Sequence, residues 1–276
     1  MENFYFKLEG PIFQNGVPIH VAIKAWENFL AIIDNTYLIA TNLQKISNKE
    51  REKYYLKALT FKHSSFHTNF EIVCSGSQLV LPLIGFLGPQ NLWEYTKEAF
   101  NLLKLMSISN KNAKIVIKNN QNTVVNTGDT TIHYHGPVYQ IAEKSLPKYK
   151  KLAHMLDPGK IETISAGEKH NPEMVFKLED KNLFDLPTEI QKNSIEVKCE
   201  IFTFNKFKND GKLRIPDGQA IPRNDYSFSI FGNQDNINYI HSMLKNLVTI
   251  ECRLEFAISP LGSKLISKLH IIGIIS

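Results

Sequence analysis

From Ile195 to its C-terminus the chain carries a period-two alternation that constrains it more than any other feature. Ile195, Val197, Cys199 and Ile201 are separated by Glu196, Lys198 and Glu200, and Val248, Ile250, Cys252, Leu254 and Phe256 by Thr249, Glu251, Arg253 and Glu255. Successive side chains of a strand point to opposite faces, so each run lays one apolar row beside one polar row. A helix would scatter the same residues around its circumference, so these runs are read as strands. Asp210 and Gly211 offer the positive-φ chemistry of a tight hairpin into Lys212 to Ile215, and Tyr226, Phe228 and Ile230 form a third strand. Asp235 is placed to cap a helix running to about Asn246, and Ser259 to Ser263 turn the chain into a last strand, Lys264 to Ile275. The order is strand, strand, strand, helix, strand, strand. Five short antiparallel strands close most economically into a small SH3-like or OB-like barrel, because closure removes exposed edges.

Upstream the pattern is mixed. Phe4, Phe6 and Leu8 alternate with Lys7 and Glu9 as a strand, and Pro18 sits where a helix over Ile19 to Gln44 can start. Tyr55 to Phe61 and Asn69 to Ser75 read as a hairpin, and Asn91 to Met106 as a helix, with Leu92, Tyr95, Ala99, Leu102, Leu103 and Met106 at helical spacing. Lys111 to Asn126 is rich in Asn and Lys, which favours peripheral strands or a projecting ribbon. Ser145 before Pro147 looks like the N-cap of a helix ending at Leu156. The expected fold is α+β: a helix-and-sheet domain over 1–110, an Asn-rich connecting module over 111–187, and the small barrel over 188–276.

A hydrophobic fraction of 43% with 21% charged residues is that of a chain with a real core. Cys74, Cys199 and Cys252 are odd in number and far apart, which argues against a disulfide framework or a zinc knuckle. The start MENFYFKLEG lacks the basic, then apolar, pattern of a secretory signal, and neither long apolar stretch (Val17 to Leu43, Leu79 to Leu87) reads as a spanning helix. A cytoplasmic protein without membrane partners is expected. The net charge of +5 mildly favours polyanionic partners.

The order of features resembles an uncharacterised bacterial domain-of-unknown-function family found in mobile-element and phage-defence gene neighbourhoods. The resemblance rests on the apolar first helix, NFEIVCSG, the helix ending in LLKL, the stretch ending in TGDTTIHYHG, and KLRIPDG, YSFSIFG and VTIECRLEF in the barrel. It implies no known activity; an accessory role in such a system would follow by association.

Three clusters carry candidate chemistry. Asp129, His133 and His135 share one face of an extended segment, and imidazole with carboxylate suits zinc or non-haem iron, although metal sites usually draw ligands from several elements. In the barrel, Phe202, Phe204, Phe207, Lys206, Lys208, Lys212, Arg214 and Arg223 interleave rings with cations, as single-stranded nucleic acid requires for stacking and phosphate pairing. An amphipathic barrel with aromatics inside and lysines outside would give the same pattern. Lys144, Lys148 and Lys151 fall on one helical face beside Tyr149 and read foremost as a solvated charge run. No phosphate loop, dinucleotide fingerprint, nucleophile elbow or HExxH is present, so no cofactor is expected. The leading expectation is a non-enzymatic interaction or assembly protein, a homo-oligomer or the partner of a neighbouring gene's product. Nucleic-acid binding through the barrel comes next, and a metal-dependent hydrolase centred on the Asp/His/His strand last.

Overall fold

A computed structural model describes residues 4–62, 66–74, 80–81, 85–86, 88–108, 114–118, 122–126, 131–134, 137–168, 171–259 and 261–275. The fold is α+β, and the chain divides into two compact units, Met1–Asp185 and Leu186–Ser276.

The first unit runs β1 (Phe4–Glu9), α1 (Ile19–Thr41), α2 (Asn48–Arg51), β2 (Tyr54–Lys62), β3 (Phe66–Cys74), β4 (Val80–Leu81), β5 (Gly85–Phe86) and α3 (Pro89–Ile108). It continues through β6 (Lys114–Lys118), β7 (Asn122–Asn126), β8 (Thr131–Tyr134), α4 (Val138–Ala153), β9 (Thr163–Glu168) and β10 (Asn171–Lys177). Its main sheet has the order β10-β9-β1-β3-β2, antiparallel throughout, so the first strand sits at the centre between partners far along the chain. Phe6 on β1 stacks on Phe29 of α1 with centroids 4.4 Å apart, and Phe4, Phe70 and Trp93 complete an aromatic cluster between helices and sheet. Trp93 Nε1 donates to Glu173 on β10 at 2.6 Å, and the Thr36 and Thr96 hydroxyls, 2.8 Å apart, join α1 to α3. These bonds pair the Trp93 indole and the two threonine hydroxyls, whereas the buried Thr68 hydroxyl on β3 has no hydrogen-bond partner among the described residues.

Two local expectations are corrected here. α1 ends at Thr41 because Asn42 takes the left-handed conformation, φ 56°, and turns its N–H back onto the last turn. α4 starts at Val138, not after Ser145. Its buried Val138, Ile141, Ala142, Ser145, Leu146, Tyr149 and Leu152 keep one helical stripe, while Pro147 lies inside the helix on its wet side. The Asn-rich segment contributes β6 and β7, which with β8 form a separate antiparallel three-stranded sheet.

The second unit runs β11 (Thr188–Ile190), β12 (Ile195–Asn205), β13 (Asp210–Ile215), β14 (Asn224–Ile230), α5 (Asn236–Ser242), β15 (Val248–Ile258) and β16 (Lys264–Ile274). Strands pair in the order β15-β12-β13-β14-β16, and β16 returns to β15, closing a five-stranded barrel that β11 extends at β15. The barrel is not purely antiparallel. An odd ring cannot alternate direction at every junction, and the parallel step falls at β14–β16, where Phe228, Ser229 and Ile230 face Leu269, His270 and Ile271. That order, with a helix between the third and fourth barrel strands, is the OB arrangement rather than the SH3 one. Val197, Cys199, Ile201, Leu213, Ile250, Cys252, Leu254, Leu269 and Ile271 fill the interior, and Tyr239 of α5 stacks against Phe204 and Phe228. Asp235 caps α5 as expected, accepting from the Ile237 N–H at 2.9 Å. Among the described residues no helix is long and apolar enough to cross a membrane.

Candidate nucleic-acid interface

The outer wall of the barrel is set by the alternation of β12 until a bulge intervenes. Ile201 faces Leu213 and Thr203 faces Lys212, leaving Phe202 as an extra residue. An extra residue inverts the inward–outward parity of the strand beyond it. Val197, Cys199 and Ile201 therefore point inward before the bulge and Phe204 after it, while Phe202 stays outside. Phe202 and Phe204, which the sequence groups in one candidate interface, are thus separated: Phe204 packs on the core, its ring 5.3 Å from Tyr239.

The β12–β13 turn also differs from the tight hairpin expected at Asp210 and Gly211. The turn is Lys206 to Asn209, with Asn209 left-handed at φ 53° and the Asn205 side-chain oxygen accepting from the N–H groups of Phe207 (3.0 Å) and Lys208 (3.3 Å). Phe207 at its tip is 88% exposed, with the Lys206 ammonium 5.1 Å from its ring centroid. Gly211 lies inside β13, where a Cβ would stand 2.1 Å from the Thr203 carbonyl oxygen and 2.7 Å from the Phe228 ring. Only glycine fits there.

The barrel cations divide into two groups. Arg214 is held at 2.7 and 3.1 Å by both carboxylate oxygens of Asp225 and lies over Phe202 at 5.5 Å; its bonds hold the Asp225 carboxyl below the usual carboxylate range. Arg223 bonds Asp217 at 2.7 Å. An exposed pair of this kind has a charge already answered, so neither arginine presents a free cation to a ligand. Lys206, Lys208, Lys212 and Lys268 lie around an open groove of about 510 Å3 or on the turn beside it. Thr203, Asn205, Asp210, Lys212, Ser227 and Lys268 form its sides and Phe204 and Phe228 its floor.

Beyond the groove, the parallel strands bring together a hydrogen-bonded chain that no sequence motif marks. Ser229 lies 3.0 Å from His270 Nδ1, and His270 Nε2 lies 2.7 Å from Glu255. A carboxylate only accepts, so in the neutral ring Nε2 carries the proton and Nδ1 receives the Ser229 hydroxyl. Burial pushes Glu255 up, but hydrogen bonds from His270 and Thr188 and the charges of His270 and Lys268 outweigh it and hold the carboxyl low. The chain spans β14, β16 and β15, and so fastens the junction that closes the barrel. No sequence signal pairs Ser229 with His270, because the register of a parallel contact is not written in either strand.

Of the metal candidates, Asp129 and His135 lie outside the described residues, and His133 is exposed on β8. Among the described residues no group of three His, Cys, Asp or Glu side chains could hold a metal ion. Lys144 and Lys151 are exposed on α4, whereas Tyr149 is fully buried and donates to the Thr96 carbonyl at 3.1 Å. No family model matches the chain, and no curated protein or solved structure matches it.

Proposed function

We propose that the barrel binds single-stranded nucleic acid along the wall formed by β12, β13 and β14. The observation that carries this reading is the turn Lys206–Asn209, which holds an exposed ring between two lysines beside a groove flanked by Lys212 and Lys268. A base stacks on Phe207 while the backbone passes the four ammonium groups, and the paired arginines stiffen the wall without taking part. The interface is modest in charge: the barrel unit holds eleven Lys and Arg against nine Asp and Glu. Four phosphate contacts on a single strand give a slope of about −3 for log affinity against log salt. Fluorescence anisotropy with a labelled oligothymidine tests this, and Phe207→Ala is expected to weaken binding by about 1–3 kcal/mol. A flat salt response, or no binding at low salt, removes the reading.

A second reading, self-assembly, is favoured by the apolar side chains around α5. Ile237 and Ile240 on the helix and Leu244 just beyond it are 54%, 44% and 86% exposed, and their spacing puts them on one helical face. In this reading two copies of the chain meet through that row. Light scattering should then give a dimer that Leu244→Glu dissociates, and a strict monomer at high protein concentration would remove it.

A further inference from the structure

We propose that an open pocket in the first unit is a binding site for a small organic phosphate, a phosphate monoester of an aromatic or similarly compact group. It is formed where the start of α1 (His20, Lys24), the end of α4 (His154), the turn 157–161 and Lys181 meet. Its volume of about 300 Å3 lies at the small end of ligand sites, which limits the occupant to a compact molecule. Its lining combines apolar Ile12, Val21, Met155 and Ile161 with cationic Lys24, Lys160 and Lys181.

The charge balance selects the ligand. Lys24, Lys160 and Lys181 stand against a single lining carboxylate, Asp157, which Lys160 approaches to 2.7 Å and Lys181 to 3.5 Å. Three ammonium groups and one carboxylate leave two positive charges. A phosphate monoester carries about −1.5 to −2 at neutral pH, and lysine is a common phosphate partner. Behind His154, Asp185 at 2.7 Å is itself offset by Lys150 at 2.9 Å, so it does not cancel this excess.

The turn that carries Lys160 is also formed before any ligand arrives. The turn is closed by Asp157 N–H to the Ile161 carbonyl at 2.8 Å and Ile161 N–H to the Asp157 carbonyl at 3.1 Å, and the Ile12 N–H reaches the Lys160 carbonyl at 3.3 Å. Gly10 lets that carbonyl approach, since a Cβ there would stand 2.1 Å from it. Lys160 is thereby fixed in backbone position, which lowers the ordering cost of binding.

Isothermal titration of the full chain with phenyl phosphate tests the site. Saturable binding at low salt is expected, tighter than for inorganic phosphate because the phenyl ring then covers apolar lining residues, with none for phenol. Lys24→Gln and Lys181→Gln should each weaken it about tenfold. Both lysines reach solvent, and unchanged tryptophan-detected unfolding would show the variants folded. The Phe207→Ala barrel variant should bind phenyl phosphate as well as the parent does. No saturable binding at millimolar ligand, affinity indifferent to both lysines, or loss of binding in the barrel variant would each overturn the proposal.

Discussion

The two units fill their interiors by opposite means. In the first, a helical layer lies over a sheet, and the space between is bridged by large flat side chains: Phe4, Phe6, Phe29, Phe70 and Trp93 meet with centroids 4.4 to 6.5 Å apart. In the second, five strands curl around a narrow space filled mostly by Val, Ile, Leu and Cys; Tyr226 is buried among them, and Phe204, Phe228 and Tyr239 stack on one another. A layer interface tolerates wide rings because the layers can adjust their separation, whereas a closed barrel has a fixed bore. The first unit should therefore be most sensitive to losing a ring, and the second to gaining an atom.

The largest effect is expected from Phe29→Ala. Phe29 is 1% exposed and touches Phe6, Trp26, Phe70 and Trp93, so its removal opens a cavity among rigid neighbours. The first unit should lose about 3–5 kcal/mol. Trp26 and Trp93, the two tryptophans of the chain, both belong to that unit, so tryptophan fluorescence during urea unfolding reports it alone. Slow amide exchange in the barrel should survive the change. Loss of protection in β15 and β16 alongside the fluorescence would break the contrast, since the units would then unfold together.

Gly211→Ala is the converse test and a smaller one. The added methyl meets the Thr203 carbonyl oxygen and the Phe228 ring, neither of which can withdraw without disturbing the β12 bulge or the aromatic stack. Overpacking of this kind costs about 1–3 kcal/mol. Faster exchange of β12 and β13 amides, with tryptophan unfolding unchanged, is the expected outcome. A neutral result would mean that the bore can widen after all.

The barrel is the more legible unit because its strands mostly succeed one another and each buries one face, so Ile195 to Ile201 and Val248 to Phe256 announce themselves by alternation. What alternation cannot show is a break in itself: the bulge at Phe202 turns Phe204 inward with no local marker. In the first unit β9 escapes a sequence reading because Ile164, Ser165, Ala166 and Gly167 are buried in succession, a central strand covered on both faces with no polar row to betray it. Pro147 misleads in the other direction. It punctuates the sequence as a helix start, yet its missing N–H falls on the wet side of α4, where water can serve the freed carbonyl. Of the candidate interface, Lys206, Lys208, Lys212 and Phe207 are readable from the sequence, but the place of Lys268 beside the groove, the pairing of Arg214 with Asp225 and the chain from Ser229 to Glu255 depend on cross-strand register.

The smallest effect concerns barrel closure. Because the folded Glu255 carboxyl is held low, its ionised form is stabilised by folding. That stability is present in full above the ordinary glutamate value of about 4.3 and is lost as pH falls through the lower folded value. Glu255→Gln keeps the shape but replaces the anion facing His270 Nε2 with a neutral amide, and should cost about 1 kcal/mol at neutral pH, since desolvation offsets part of the charged hydrogen bond. The difference between variant and parent should shrink as pH falls from about 5 to 3, monitored by amide exchange of β14 and β16. Groups common to both proteins cancel in that difference, so a gap that stays constant with pH would show that the closure at Ser229, His270 and Glu255 depends on packing rather than on the carboxylate charge.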